Sequence, residues 1–490
     1  MCSSDLPSLW FVPGLFVIGA LLGARLTLFI DHTHGPFTTP RWLIITDPDA
    51  ASVFTGTVAA AMLSFVAMVF STTFIAIQLA GAQYSPRVVR IFVRSRLTHV
   101  TLGLFLATFV VSMTALLDTR GRDPERVPVL TVSIVVVLLL ITLVVFALLA
   151  YVPLLLTDIG RTAADTKSYL YLDPSRMLSR AVSMWDPHLG LGTTTHQNIG
   201  YLFPMGPFFW IAERLLHLPP WVAQRLWLGT LLLLAGLGAR YLLRTLGVTG
   251  PGLTVAMLAY AFTPYALQYS SRLSVLLSPW VALPWLIAFT ARALAKPGWR
   301  YPALLAITVQ LAGGVNASSL FFSLLGPIIY TLHALLVTRD TDLRRVGAAL
   351  WRTAVLLAAT SVWWLSGLWV EGRYGLNVLQ YTETVQDVSR TLFPFELLRG
   401  LGYWMFYGRD PAGAWNDAAA LLARNPLIVV CTLLVPAAAL LAGAVLRWRH
   451  RFLFVALIAS GLVIGVAAAP YDDPSLAGRV FKAVADRKST

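Results

Sequence analysis

The sequence predicts an all-α, polytopic membrane protein with about twelve transmembrane helices and large loops on one face. Three observations predict it. The chain of 490 residues is 57% hydrophobic and only 12% charged, where soluble domains carry roughly 25% charge. Its mean hydropathy is +0.72. Apolar runs long enough to cross a bilayer recur along its whole length.

The runs lie near 9–31, 52–79, 99–117, 127–157, 224–244, 251–268, 273–293, 302–317, 318–337, 353–371, 426–446 and 452–469. The first lacks the basic leader and small-residue cleavage site of a signal peptide and reads as a retained span. The run 127–157 exceeds a bilayer core unless it tilts or extends beyond it. Cys2 and Cys431 are the two cysteines, and the second lies inside a span, so they support neither a disulfide framework nor a metal centre.

The net charge of +14 does not point to nucleic acid, because the basic residues concentrate in short connections between spans. That pattern assigns sidedness. Placing "RALAKPGWR" (292–300), "TRDTDLRR" (338–345) and "RWRHR" (447–451) in the cytoplasm puts both long connections, 158–220 and 372–425, on the external side. The first half fits less well: "QYSPRVVRIFVRSR" (83–96) competes with "DTRGRDPER" (118–126) for the cytoplasmic side, and the downstream charge pattern favours 118–126.

Two stretches divide the chain by character. "LWFVPGLFVIGALL" and "FSTTFIAIQLAGAQYSPRVVRIFVRSR" fall in a four-span unit, 1–145, which resembles an uncharacterised family of actinobacterial membrane proteins. From about 146 onward the strings "ADTKSYLYLDPSRMLSRAVSMWDPHLGLGTTTHQNIGYLFPMGPFF", "PPWVAQRLWLG", "SSRLSVLLSPWVALPWL", "GGVNASSL", "NVLQYTETVQDVSRTLFP", "GYWMFYGRD" and "PYDDPS" follow one another. In this order they resemble the mycobacterial-type α-(1→3)-arabinofuranosyltransferases, membrane glycosyltransferases of the GT-C class. Members of that family run on well past this point, so 146–490 reads as a truncated GT-C-like core joined to the first unit within the span 127–157.

The resemblance implies transfer of arabinofuranose, with inversion, from decaprenyl-phosphate-arabinose to an arabinan acceptor, at the external face of the plasma membrane. Such transfer needs a carboxylate that deprotonates the acceptor hydroxyl, and Asp165 of "ADTK" is the matching position. From the residues alone, Asp165 reads first as the end of a helix in a solvated loop. Lys167 faces the leaving phosphate or snorkels toward headgroups. Asp173 stands where an N-cap belongs, before Pro174 at the first helical position. Met177, Leu178, Ala181, Val182 and Trp185 then space out as the apolar face of an interfacial helix.

In "THQNIGYLFPMGPFF", His196, Gln197 and Tyr201 carry hydrogen-bonding groups and a ring face suited to a sugar, although interfacial loops use the same types. Arg272 is a phosphate contact or a snorkelling cation; Asn316 is a functional amide at a span end or part of helix packing through Gly313 and Gly314. Glu383, four residues before Asp387, is a second acidic candidate for acceptor binding or cation ligation, with a solvated helix face as its rival. In "YDDP" a proline turn accounts for Asp472 and Asp473. No Walker A, strand-associated GxGxxG, HExxH or CxxC motif occurs, which disfavours a nucleotide-sugar donor and names no cofactor; a divalent metal stays compatible. A flippase for a lipid-linked substrate and a non-catalytic scaffold are the competing functions.

Overall fold

The computed structural model describes residues 6–33, 49, 51–56, 58–59, 62, 96–121, 127–156, 159–162, 169–181, 183–187, 191–194, 198–249, 252–270, 274–313, 317–375, 386, 389–390, 392, 394–402, 407–411, 413–414, 422–445, 448–466, 468–469, 471–476, 478–480 and 482. It falls into two compact units, 1–150 with 247–258, and 151–246 with 259–490. Among the described residues five helices are long and apolar enough to cross a membrane, and three shorter ones are apolar.

In the first unit, α1 (Leu6–Thr33) packs along α2 (Arg96–Gly121), and α3 (Val129–Leu156) begins there. A Cβ at Gly103 would lie 2.6 Å from the Phe16 ring, so that glycine sets how closely the helices approach. The ends of the helices are tied by carboxylates. Asp31 accepts from the backbone N–H groups of Leu130 at 3.0 Å and Thr131 at 3.1 Å. These donors have no partner inside their own helix, so an anion there satisfies them and faces the positive end of the helix dipole. His32 Nε2 lies 3.1 Å from Asp118 Oδ1.

The second unit begins inside α3 (Val129–Leu156), which ends near the start of the first long connection. That connection contains α4 (Pro174–Ala181), strands β1 (Trp185–Asp186) and β2 (Thr193–Thr194), and α5 (Met205–Trp210). Further helices follow in chain order: α6 (Pro220–Thr245), α7 (Gly252–Ala261), whose residues up to Leu258 fall in the first unit, α8 (Pro264–Ser270), α9 (Leu277–Ala295), α10 (Arg300–Gly313), α11 (Ala317–Leu336) and α12 (Leu343–Tyr374). Next come α13 (Pro394–Leu398), strands β3 (Arg409–Asp410) and β4 (Gly413–Ala414), α14 (Pro426–Val445) and α15 (Arg451–Val466).

The apolar run 251–268 is not one helix. It breaks between α7 and α8, because Pro264 cannot donate to the preceding turn and Thr263 Oγ1 caps the new helix by accepting from Ala266 N at 3.2 Å.

α9 is the centre of the second unit, packed against α6, α10, α11 and α12. Of its apolar window 72% is buried inside the protein, against 17% for α12, so α12 turns most of its apolar surface outward, as a lipid-facing helix does. Close packing relies on small residues. A Cβ at Gly238 would stand 2.5 Å from Trp285 Nε1, which donates to Leu234 O at 3.0 Å. One at Gly326 would stand 2.7 Å from Leu283 Cδ1. α12 starts at an Asp342 cap, which accepts from Arg345 N at 2.8 Å, and its 32 residues reach about 48 Å, more than a bilayer core requires.

Two of the basic connections meet. Arg449 pairs with Asp340, and His450 Nδ1 lies 3.4 Å from His333 Nε2, both rings buried.

Candidate functional site

The site region grows from the first long connection. Asp173 Oδ1 accepts from Arg176 N at 3.1 Å, so the expected cap forms and α4 begins at Pro174. Met177 and Ala181 are buried beneath it while Arg176 stays exposed. The helix is shorter than its apolar spacing suggests. Ser183 Oγ donates to Trp185 O at 3.1 Å and accepts from Trp185 N at 3.2 Å, turning the chain out of the helix. Trp185, expected on the helix face, instead lies in β1, paired with Thr194 and 56% exposed. Its indole covers Gly192, where φ is +106° and a Cβ would fall 2.2 Å from the ring. Arg180 and the buried Asp186 tie α4 to the hairpin across 3.6 Å.

Beyond the hairpin, the turn Asn198–Leu202 carries Tyr201 into the core, and its side chain is 0% exposed. α5 packs on α4 through Gly206, where a Cβ would meet Leu178 at 2.5 Å and Tyr201 O at 2.9 Å. Phe208, Phe209 and Trp227 then form an aromatic block, with Phe208 and Trp227 centroids 5.0 Å apart. A π-helical turn, Ile211–Leu215, follows and holds Glu213. One of its carboxylate oxygens is buried without a hydrogen-bond partner among the described residues. Burial pushes the Glu213 carboxyl up to about 7, against the opposing pull of Arg214. Arg214 itself donates to Ser175 Oγ at 3.0 Å and stands 3.9 Å from Asp173.

At the start of α6, the buried Arg225 donates through Nη2 to Arg161 O at 3.2 Å. This ties the helix to backbone four residues ahead of position 165.

The second long connection packs at the same end of the unit. α12 meets the turn Asn198–Leu202, Gly375 just past its end lies against Thr194, and Gly400, with φ of +73°, lies against Tyr265. Arg399, whose side chain has no exposed surface, anchors α13: Nη1 to Glu396 Oε1 at 2.6 Å, Nε to Thr432 Oγ1 at 2.7 Å, and Nη2 to Leu422 O. Tyr407 OH donates to Glu396 Oε2 at 3.0 Å and accepts from Gly402 N at 3.1 Å. The Asp472 carboxylate of the YDDP turn pairs with Arg390 at 3.3 Å.

Of the residues singled out from sequence, Tyr201 is described and sits fully buried. Asp165, Lys167, His196, Gln197, Arg272, Asn316, Glu383 and Asp387 lie outside the described residues. Their described flanks include Arg161, Thr194 and Gly313, on connections or helix ends of the second unit. Among the described residues no three His, Cys, Asp or Glu side chains converge as metal ligands would.

Three ionisable residues were missed: Glu213, Arg225 and Glu371. Their signal was legible as isolated charges at the borders of apolar runs in "IAERL", "AQRLW" and "WVEGRY".

Packed apolar helices whose two long connections meet at one end define a polytopic membrane protein with an elaborated surface at that end. The chain belongs to the family described as Alpha-(1->3)-arabinofuranosyltransferase, N-terminal GT-C domain, whose model matches residues 147–487. Residues 7–160 match a second family, Predicted membrane protein (DUF2254). The chain is 30% identical over 312 residues to an Alpha-(1->3)-arabinofuranosyltransferase of Mycolicibacterium smegmatis, covering 62% of this chain and 21% of that protein. It is 32% identical over 294 residues to that of Mycobacterium tuberculosis, covering 57% and 20%. The chain thus spans about one fifth of the length of these relatives. A cryo-EM structure of arabinofuranosyltransferase AftD from Mycobacteria is 25% identical over 70% of this chain and 25% of its own, with a TM-score of 0.47.

Proposed function

We propose that residues 146–490 form the membrane core of a glycosyltransferase that moves arabinofuranose from a polyprenyl-phosphate donor, decaprenyl-phosphate-arabinose, to a cell-wall arabinan acceptor with inversion. The observation that carries the reading is the family match over 147–487, which runs through both long connections, 158–220 and 372–425. The meeting of those connections at one end of the core supports it further.

In this reading Asp165 accepts the proton of the acceptor hydroxyl while that oxygen forms its bond to the anomeric carbon. The anomeric carbon–phosphate oxygen bond breaks from the opposite face, and the electron pair leaves with the polyprenyl phosphate. Lys167 and Arg272 are the cations that stabilise this growing charge. His196, Gln197, Asn316 and Glu383 hold sugar hydroxyls, and Tyr201, buried as it is, forms the wall behind them. The reaction runs on the external face of the plasma membrane, where the basic connections place both long loops. Residues 1–145 form a separate membrane unit.

A proton- or ion-coupled transporter needs ionisable groups deep in its spans. The stretch 226–239 of α6 and the stretch 353–370 of α12 contain none, and Arg225 and Glu371 lie close to helix ends. This disfavours the flippase reading.

The test is arabinosyl transfer by the purified full chain in lipid nanodiscs, from a synthetic polyprenyl-phosphate arabinose to an arabinofuranosyl disaccharide. Wild type is expected to transfer with inverted anomeric configuration, and Asp165→Asn to lose at least about 100-fold in kcat. Equal rates would remove Asp165 as the base. A folded wild type without activity would favour the scaffold. Labelling a cysteine placed at Ser168 with a membrane-impermeant reagent tests the face; protection from outside would reverse the orientation.

A further inference from the structure

α10 and α12 pack side by side and run in the same direction: Trp299 meets Arg352 at one end, and Gly313 meets Trp364 at the other. Trp299 opens α10, its carbonyl accepting from Ala303 N at 2.9 Å. Arg352 lies more than two turns into α12, so the first turns of α12 project about 14 Å beyond the start of α10. At the level of this step the rings of Trp299 and Trp351 meet edge to face at 5.2 Å, and they are 47% and 52% exposed. Exposed indoles at such a level mark where a spanning helix leaves the hydrocarbon. Deeper along the same helices the outward surface is apolar, with Ile307 on α10 and Val355 and Val362 on α12 all exposed.

Two cations stand at this level. The Arg352 guanidinium lies over the Trp299 ring, 6.0 Å from its centre, and its Nε is buried without a hydrogen-bond partner among the described residues. Arg300 lies over Tyr301 at 5.7 Å. The acids of the neighbouring connection are engaged elsewhere. Asp340 pairs with Arg449, and Asp342 caps α12 and stands 3.9 Å from Arg345. Among the described residues no acidic side chain pairs with Arg300 or Arg352.

We propose that this junction of α10 and α12 binds an anionic phospholipid, with Arg300 and Arg352 on its phosphate and the two indoles beside its upper acyl chains. The site lies at the end of α12 opposite the long connection 372–425, so it stands apart from the transferase reading. A guanidinium stacked on a ring keeps its N–H fork in one plane and can grip a phosphate with two parallel hydrogen bonds. A snorkelling arginine needs no such ring to hold it in place. Two cations anchored on rings two residues apart in sequence favour a headgroup of net negative charge and repel the ammonium of a zwitterionic one. The exposed apolar surface one and two turns deeper selects a lipid over a free phosphate, because only the lipid brings chains to cover it. Basic sites between spanning helices on the cytoplasmic side, where the charge pattern places this end, suit such headgroups.

The test is native mass spectrometry of the full chain, purified in detergent and titrated with phosphatidylglycerol or phosphatidylcholine. Wild type is expected to retain one phosphatidylglycerol at least about tenfold more tightly than phosphatidylcholine. Arg300→Gln and Arg352→Gln should each weaken that binding about fivefold. Arg345→Gln, which removes an exposed cation outside the cluster, should leave it unchanged. Because Arg300 is exposed, its variant reads binding without a change in fold, which thermal unfolding recorded in parallel verifies. Equal affinity for the two lipids overturns the proposal, as does wild-type affinity in Arg300→Gln. An equal loss in Arg345→Gln also overturns it, in favour of a diffuse basic surface. Displacement of the lipid by excess soluble glycerol phosphate overturns it in favour of a phosphate site that needs no acyl chain.

Discussion

Arg399 and Glu396 face each other across 2.6 Å, with the arginine side chain fully enclosed and the glutamate shared with the hydroxyl of Tyr407. Through this pair α13 is held to Thr432 in α14 and to Tyr407, whose hydroxyl also accepts from Gly402 N. The four groups satisfy one another, so removing any member strands a buried charge or donor. Arg399→Met is therefore expected to lower stability by on the order of 3 kcal/mol. The Arg399→Met/Glu396→Gln double variant should lose less than the sum of the single losses. Thermal unfolding in detergent checks both, and additive losses would mean that the two side chains are not coupled.

Glu213 makes stability depend on pH in a definite direction. Its folded carboxyl titrates near 7 against an ordinary value of 4.5, through burial first and Asp173 second, with Arg214 opposing. The folded protein therefore holds a proton that the unfolded chain has released. The contribution is complete below pH 4.5 and is lost as pH rises through about 7. Glu213→Gln is expected to flatten the unfolding midpoint over that window and to stabilise the protein at pH 8.

His450 gives the opposite slope. Burial, then His333 and Arg449, hold its imidazole below the ordinary 6.5, and Asp340 pulls the other way. Here the unfolded chain binds the proton more readily. Stability is complete above pH 6.5 and declines as pH falls through 6.5 toward the lower folded value. His450→Gln should make the acid-side decline shallower while leaving the Glu213 window intact. An unchanged acid limb in this variant would place the titrating group elsewhere.

Gly238 tests the packing of α6 on α9. Gly238→Ala brings a carbon to 2.5 Å from Trp285 Nε1 and disturbs its bond to Leu234 O. A loss of about 1–3 kcal/mol is expected, read from the unfolding midpoint, whereas Gly247→Ala meets no neighbour and is strained only by its φ of +83°.

The two acids of "AADTKSYLYLDPSRML" show how far the sequence could be read. Asp173 was legible, because a cap is local: an aspartate, a proline and a backbone N–H three residues on. Trp185 misled, because its spacing continued the apolar face of α4, while the competing Ser183 hydrogen bonds and the pairing with Thr194 have no periodicity. The family of 147–487 was also legible, from strings in a fixed order. Tyr201 was recognised as an aromatic of the loop, but its complete burial follows from α4, α5 and the following helices closing around it.

By itself the sequence determined that the chain lives in a membrane and that Asp173 caps α4. Transfer of apolar surface from water and satisfaction of helix ends act over a few neighbouring residues. Only the tertiary structure decided that Glu371 is buried at the end of α12, that Arg399 reaches α14, and that Arg225 holds the backbone at Arg161. Those relationships join residues distant in the chain. They exist because a buried polar group must find its partner wherever packing delivers one.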